Sequence, residues 1–430
     1  MVNHKKGLVL GATAFVLTAV AVTGAGLRLS RSQAFFQDNP KELVDEVWTI
    51  IDKTYVDGTF NQVDWRSVRQ DYLNRSYTNK EEAYKAIREM LKKLGDPYTR
   101  FMNPEEFKNM QIDTSGELTG VGIQLSKDEK TKELVVIAPI EDTPAFAAGI
   151  LSKDVITKIN GKTTEGMEVE DAVKLIRGTP GSKVTLTIRR SDKEVDYSLV
   201  RARIELHPVR AHVEKTPIGD IGYIRLTQFS AQAGEEMGVA IKDLEGKKVQ
   251  GYILDLRSNP GGLLYASVDI ARMWLNDGKI VSTVSRTGEV ELQRASNRAL
   301  TNKPLVVLID GGSASASEIL SGALQDNKRA VLVGTTSFGK GLVQSVRGLG
   351  DGSGLAVTIA KYLTPSGRDI NKHGIDPDVK LELTDEQRKA LQQERDKIGT
   401  FGDPQFDKAF EILKGRIGTA KNPQSPTGGK

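Results

Sequence analysis

Three short loops combine hydroxyl, amine and glycine residues in patterns that suit nucleophilic chemistry. The first, Arg257-Ser258-Asn259-Pro260-Gly261-Gly262, ends in paired glycines, which let a backbone approach a ligand and aim N–H groups at it. The second, Gly311-Gly312-Ser313-Ala314-Ser315-Ala316-Ser317-Glu318, lies between an apolar run and a helical one. A hydroxyl there stands where helix N–H groups favour developing negative charge. The third, Ser337-Phe338-Gly339-Lys340-Gly341-Leu342-Val343-Gln344, flanks a lysine with glycines and apolar residues. An inward-pointing lysine loses hydration, so its pKa falls and the neutral amine becomes a usable base. Gln344 shares a face with Lys340 in a helix or a strand alike, and can position the amine in either. Each loop also has a purely structural reading, as a strand-to-helix turn, a serine N-cap or a solvated charge. The residues alone leave the nucleophile open among Ser313, Ser315 and Ser317.

Competing chemistries are poorly supplied. With no cysteine there is no thiolate nucleophile, cysteine-ligated metal or disulfide. Apart from His4 in the leader, the histidines are His207, His212 and His373, too scattered for metal-ligand spacing, and each reads as structural. The content of 38% hydrophobic and 27% charged residues is that of globular domains. The net charge of +4 is carried by Lys5, Lys6, Arg28 and Arg31, so the rest of the chain is neutral. No basic stripe is present, which argues against a nucleic-acid partner.

Around the loops, the 430 residues divide by pattern. Residues 1–34 hold an uncharged apolar stretch, Gly7 to Leu27, between basic flanks, as in a signal peptide or a membrane anchor. Ser32-Gln33-Ala34 suits signal cleavage before Phe35. Residues 35–110 carry helical stripes such as Ala83, Ile87, Met90, Leu91 and Leu94. Residues 111–205 read as short strands, Val121 to Leu125, Leu134 to Ala138, Val155 to Ile159 and Val184 to Ile188, with two helices and an Asn160-Gly161 turn. Residues 206–384 alternate strand and helix, which predicts a mixed or parallel sheet covered by helices, with ligands at the carboxyl ends of its strands. Residues 385–430 begin as a polar helix and end in a tail that reads as disordered.

The segments Leu118-Thr-Gly-Val-Gly-Ile123, Asp255 to Leu264, Gly312 to Glu318, Thr336 to Gln344, Tyr362 to Arg368 and Gly374 to Asp378 resemble the carboxyl-terminal processing proteases. The resemblance runs in order from about residue 40 to 380 and is nearest to the cyanobacterial and plastid branch. It implies a multidomain α/β fold: an N-terminal helical region, a PDZ domain and a crotonase-like α/β peptidase domain with a Ser-Lys dyad. Carried over by position, Ser315 is the nucleophile, Lys340 the general base and Gln344 its orienting residue. The N–H groups of Gly261 and Ala316 form the oxyanion hole, and Gly120, Val121, Gly122 and Ile123 the carboxylate-binding loop of the PDZ domain. Neither cofactor nor metal is implied. The partners are proteins with free C-terminal tails outside the cytoplasm, in a periplasm or thylakoid lumen, including a photosystem II reaction-centre polypeptide. Membrane contact is limited to the N-terminal segment if it stays uncleaved. The alternatives are a catalytically inert PDZ adaptor and a crotonase-like acyl-transfer enzyme. Intact Ser315, Lys340 and Gln344 argue against the first, and the secretory leader against the second.

Overall fold

The structure is a computed structural model and describes residues 39–421, apart from 129–130, 141–142, 192, 289 and 395–396. The expected leader and the expected disordered tail from Asn422 lie outside the described residues. Among the described residues no helix is long and apolar enough to cross a membrane. The chain forms two compact units. One comprises the described residues up to Asn109, Val209–Phe229 and those from Ala233; the other comprises Met110–Pro208 with Ser230–Gln232.

The first unit is built on a six-stranded sheet ordered Val209–Glu214, Ile221–Leu226, Tyr252–Asp255, Leu305–Ile309, Ala330–Gly334 and Val379–Lys380. Only the first pair is antiparallel. The central strands Tyr252–Asp255, Leu305–Ile309 and Ala330–Gly334 are buried on both faces, as parallel strands covered by helices must be. Leu305, Val307 and Ile309 face the core formed with helices Ala233–Gly246, Leu264–Trp274 and Ala316–Asp326. The alternate residues Val306 and Leu308 pack with Phe406, Ala409, Leu413 and Ile417 of the helix Pro404–Lys421. That helix lies between the polar helix expected from about residue 385 and the tail from Asn422, where no element was expected. Its apolar residues recur at helical spacing among lysines and glycines, so only a narrow stripe marks it.

A second, antiparallel sheet was not anticipated from the sequence. It joins Arg100–Met102, Gly354–Leu363, Lys279–Ser285 and Val290–Arg294, with Leu342–Gly348 along the other side of Gly354–Leu363. The helices Pro40–Thr54, Trp65–Leu73 and Lys80–Lys92 share one core with Leu349, Leu355 and Val357 of this region. The N-terminal helices therefore build a core that residues of the second sheet region help to close, within the first unit.

The second unit is an antiparallel sheet ordered Ile123–Lys127, Leu134–Pro139, Val155–Ile159, Lys183–Arg190 and Lys193–Val200. Asn160 and Gly161 both have positive φ, 50° and 76°, as the hairpin turn requires. The first strand begins at Ile123 rather than Val121, because Gly122 turns the chain at φ 80°. Ile123–Lys127 is an edge strand, and the helix Val169–Ile176 packs beside it.

The packing of Pro404–Lys421 yields a test. Leu413 is fully buried, so Leu413→Ala removes a core side chain and should lower stability to urea by about 2–5 kcal/mol. An unchanged midpoint would mean that this helix is not part of the folding unit.

Candidate active site

The three loops singled out in the sequence leave three neighbouring parallel strands at their carboxyl ends, Tyr252–Asp255, Leu305–Ile309 and Ala330–Gly334. The sheet therefore brings them side by side, as the topology rule for such folds requires. Asn259, fully buried, fastens the first loop to the second. Its backbone oxygen accepts from Ala314 N–H at 3.0 Å and from Ser317 Oγ at 2.9 Å. Asp310 adds a second link, accepting from Ser258 N–H at 2.7 Å and Gly312 N–H at 2.9 Å. Behind the first loop, the buried Arg257 reaches Asp255 at 2.6 Å and Asp403 at 2.7 Å. Burial alone would lower its pKa, but these two carboxylates outweigh that and hold it charged.

The three serines of the second loop differ sharply. Ser313 is fully buried and its hydroxyl donates to the Leu256 carbonyl at 2.8 Å. Ser317 is fully buried and donates to Asn259. Ser315 is half-buried and stands at φ 54°, ψ −111°, just before the first residue of the helix Ala316–Asp326. A non-glycine residue there is strained, and such strain gathers at functional turns. Gly261 lies against it. A Cβ on Gly261 would stand 2.5 Å from the Ala314 oxygen and 2.9 Å from both Ala316 N and Ser315 Cβ. Ala316 opens the helix, where a backbone N–H has no intrahelical acceptor. The Gly261 N–H, in contrast, donates to Asn259 Oδ1 at 2.9 Å.

Lys340 is joined to Ser315 through Glu318, whose carboxylate is fully buried. Glu318 Oε2 accepts from Ser315 N–H at 2.8 Å and Lys340 N–H at 2.9 Å. Its Oε1 accepts from Gly339 N–H at 2.7 Å and Ser337 Oγ at 2.5 Å. The Tyr362 hydroxyl, meanwhile, contacts the carbonyls of both Ser315, at 3.1 Å, and Lys340. Burial raises the pKa of this phenol far above its usual value, so it stays a donor. The Lys340 amine lies 5.0 Å from the centre of the Tyr98 ring. Its pKa is lowered, by burial first and then by the Arg100 charge, against the opposing pull of Asp96 and Glu318. Gln344 lies in the strand Leu342–Gly348, which settles the choice of helix or strand, and donates from Nε2 to Thr358 Oγ1 at 3.5 Å.

In the second unit the Val121 carbonyl accepts from Ala145 N–H, and the Gly122 carbonyl from Ile140 N–H, both at 2.9 Å. In a trans peptide the following N–H points the opposite way. The amides of Gly122 and Ile123 are thus turned away from those partners, and the Ile123 amide away from the neighbouring strand Leu134–Pro139. A Cβ at Gly122 would meet Thr143 at 2.3 Å. His212 rests against Tyr223, with ring centres 4.9 Å apart. Among the described residues no group of three His, Cys, Asp or Glu side chains could hold a metal ion.

Known proteins match this arrangement over most of its length. Peptidase family S41 matches residues 220–381 and the PDZ domain family residues 109–189. A carboxyl-terminal-processing protease of the cyanobacterium Synechocystis is 44% identical over 388 residues, covering 90% of this chain and 89% of the relative. The chain belongs to the carboxyl-terminal-processing proteases of peptidase family S41. The chloroplastic carboxyl-terminal-processing peptidase 3 of Arabidopsis thaliana is 41% identical, over 78% of this chain and 67% of its own length. A solved photosystem II D1 C-terminal processing protease is 36% identical and superposes with a TM-score of 0.55, over 80% of this chain and 93% of that one.

Sequence reasoning passed over Glu318, Tyr362 and Asn259 as working parts of this protease. Ser315-x-x-Glu318 has capping-box spacing, a signal that could have flagged the carboxylate. Tyr362 opens one of the segments that carry the resemblance, but its contact with the two loops depends on the second sheet, from which it arrives.

Glu318→Gln keeps the shape of this hub but turns one oxygen into a donor facing N–H or O–H groups. Two donors lose their acceptor, at about 1–3 kcal/mol each. The expected result is a less stable protein with faster amide exchange at Gly339 or at Lys340, whichever faces the new amide nitrogen. Wild-type exchange at both residues would contradict the hub.

Proposed function

We propose that this protease is a serine endopeptidase with a Ser315–Lys340 dyad, cutting C-terminal tails of proteins outside the cytoplasm. The observation that carries the reading is the contrast among the three serines. Two hydroxyls are buried in structural hydrogen bonds, while Ser315 stands strained and accessible against Gly261. The neutral Lys340 amine takes the Ser315 proton as Oγ bonds to the scissile carbonyl carbon. The oxygen of the tetrahedral intermediate is met by the Ala316 N–H at the helix start. The Gly261 N–H joins it by exchanging Asn259 Oδ1 for the substrate. Lys340 then protonates the departing amine; a water gives its proton to Lys340 as it attacks the acyl carbon, and Lys340 returns that proton to Ser315 Oγ as the C–Oγ bond breaks.

The PDZ domain supplies the reason for choosing tails. The outward amides of Gly122 and Ile123 suit a terminal carboxylate, and the open edge strand Ile123–Lys127 suits the residues that precede it. The basic-flanked apolar leader supports work in a periplasm or thylakoid lumen. The likeness to a photosystem II D1 processing protease supports a reaction-centre polypeptide as one substrate. Comparing protein C-termini in cells with active protein and with Ser315→Ala tests that substrate: the tail persists only in the variant.

Ser315→Ala and Lys340→Ala should each lower kcat by about 10³-fold or more with the fold retained, since members of such a unit act together. Near-normal turnover in either removes the dyad. Because the base is the neutral amine, kcat/KM should rise with pH, and burial places that limb below the range of an ordinary lysine. A profile independent of pH from mildly acidic to alkaline would speak against a lysine base.

Amidating the substrate C-terminus removes a charged acceptor worth about 1.5–3 kcal/mol, or about one to two factors of ten in Kd. Equal binding of amidated and free-acid peptides would leave tail selection to the peptidase cleft.

A further inference from the structure

The turn Gly95 to Arg100 follows the helix Lys80–Lys92 and enters the strand Arg100–Met102, which pairs with Gly354–Leu363. Asp96 Oδ2 accepts from Thr358 Oγ1 and from Thr99 Oγ1, both at 2.6 Å, and its Oδ1 from Tyr98 N–H at 2.9 Å. Thr99 Oγ1 in turn accepts from Thr358 N–H at 3.0 Å, so Thr358 is held by backbone and side chain. A hydroxyl has a single proton to give. Asp96 takes that of Thr358 and leaves the threonine oxygen to accept from Gln344 Nε2. The Gln344 amide nitrogen is thereby committed to Thr358, and its oxygen is left for a different donor. Two residues after Asp96 in the same turn, Tyr98 offers its ring to the Lys340 amine.

We propose that Asp96 is a positioning residue for the Lys340 base, acting through Thr358 on Gln344 and through the turn that carries Tyr98. The N-terminal helices then do more than cover the sheet, because the turn that ends them completes the catalytic site. The inference rests on Lys340 being the base. The charged and titratable groups around Lys340 are Asp96, Tyr98 and Arg100 from this turn, Glu318 from the helix Ala316–Asp326 and Tyr362 from Gly354–Leu363. Asp96 and Glu318 favour the ammonium form, whereas Arg100 disfavours it.

The test is steady-state cleavage of a quenched fluorescent peptide with a free C-terminal carboxylate, measured across pH on the full chain, with thermal unfolding alongside. Asp96→Asn removes a negative charge, so the neutral amine forms more readily and the rising limb of kcat should move to lower pH. Arg100→Gln removes a positive charge and should move it to higher pH. Thr358→Val breaks the relay and should lower kcat by about tenfold to a hundredfold at unchanged KM, a loss typical of a misplaced catalytic group. Thr358→Ser should restore it. A purely structural Asp96 would lower the unfolding temperature and leave the limb in place. An unmoved limb in Asp96→Asn, or wild-type kcat in Thr358→Val, overturns the proposal. If Asp96→Asn does not fold, the Thr358 pair decides by itself. Lys340→Ala assayed in parallel separates the two levels: wild-type kcat there overturns both readings. Its inactivity, with Thr358→Val unimpaired, overturns only the role of Asp96.

Discussion

The site depends on one buried carboxylate. Glu318 is removed from water and is surrounded by four donors, three of them backbone N–H groups from the two loops that carry Ser315 and Lys340. A buried carboxylate is tolerated only when its oxygens are met, and these donors come from segments more than twenty residues apart in sequence. Satisfying the charge therefore brings the two loops into one arrangement. The alternative is an uncompensated charge in the core, which is far more unfavourable than the loss of an ordinary surface contact. Tyr362 contacts the carbonyls of the same two loops, so the Ser315 and Lys340 segments are bound at both their N–H and C=O groups.

The parallel sheet sets the layer below that hub. Its register is fixed by backbone ladders and by side chains that alternate between two cores, one under three helices and one under Pro404–Lys421. Arg257 connects the second core to the site, since it leaves the strand Tyr252–Asp255 just before the glycine loop and is gripped by Asp403 ahead of that helix. Elements late in the chain thus steady a loop in its middle.

Much of this was readable from residue order. Strands such as Leu305–Ile309 and Val155–Ile159 are runs of β-branched and apolar residues bounded by turns, and helices such as Val169–Ile176 keep strict apolar spacing. The candidate loops were legible because glycines, serines and a lysine at strand ends are unusual company. What stayed hidden depends on contacts distant in sequence. Asp96 meets Thr358 across 262 positions, and Tyr84 meets Asp351 across 267. The second sheet is assembled from strands in separate parts of the chain, none of which alternates cleanly enough to be recognised alone. The serine proposed as nucleophile was likewise invisible in composition, since Ser313, Ser315 and Ser317 differ only in burial and backbone conformation.

The backbone at Ser315 has a consequence for how the molecule is maintained. Its φ of 54° and ψ of −111° suit a residue without a side chain better than a serine. A chain selected only to persist would relax that turn, and glycine at 315 would do so while deleting the hydroxyl. The protein therefore keeps a locally unfavourable residue at the position proposed for its nucleophile, and on that reading its thermodynamic optimum and its working sequence are different sequences.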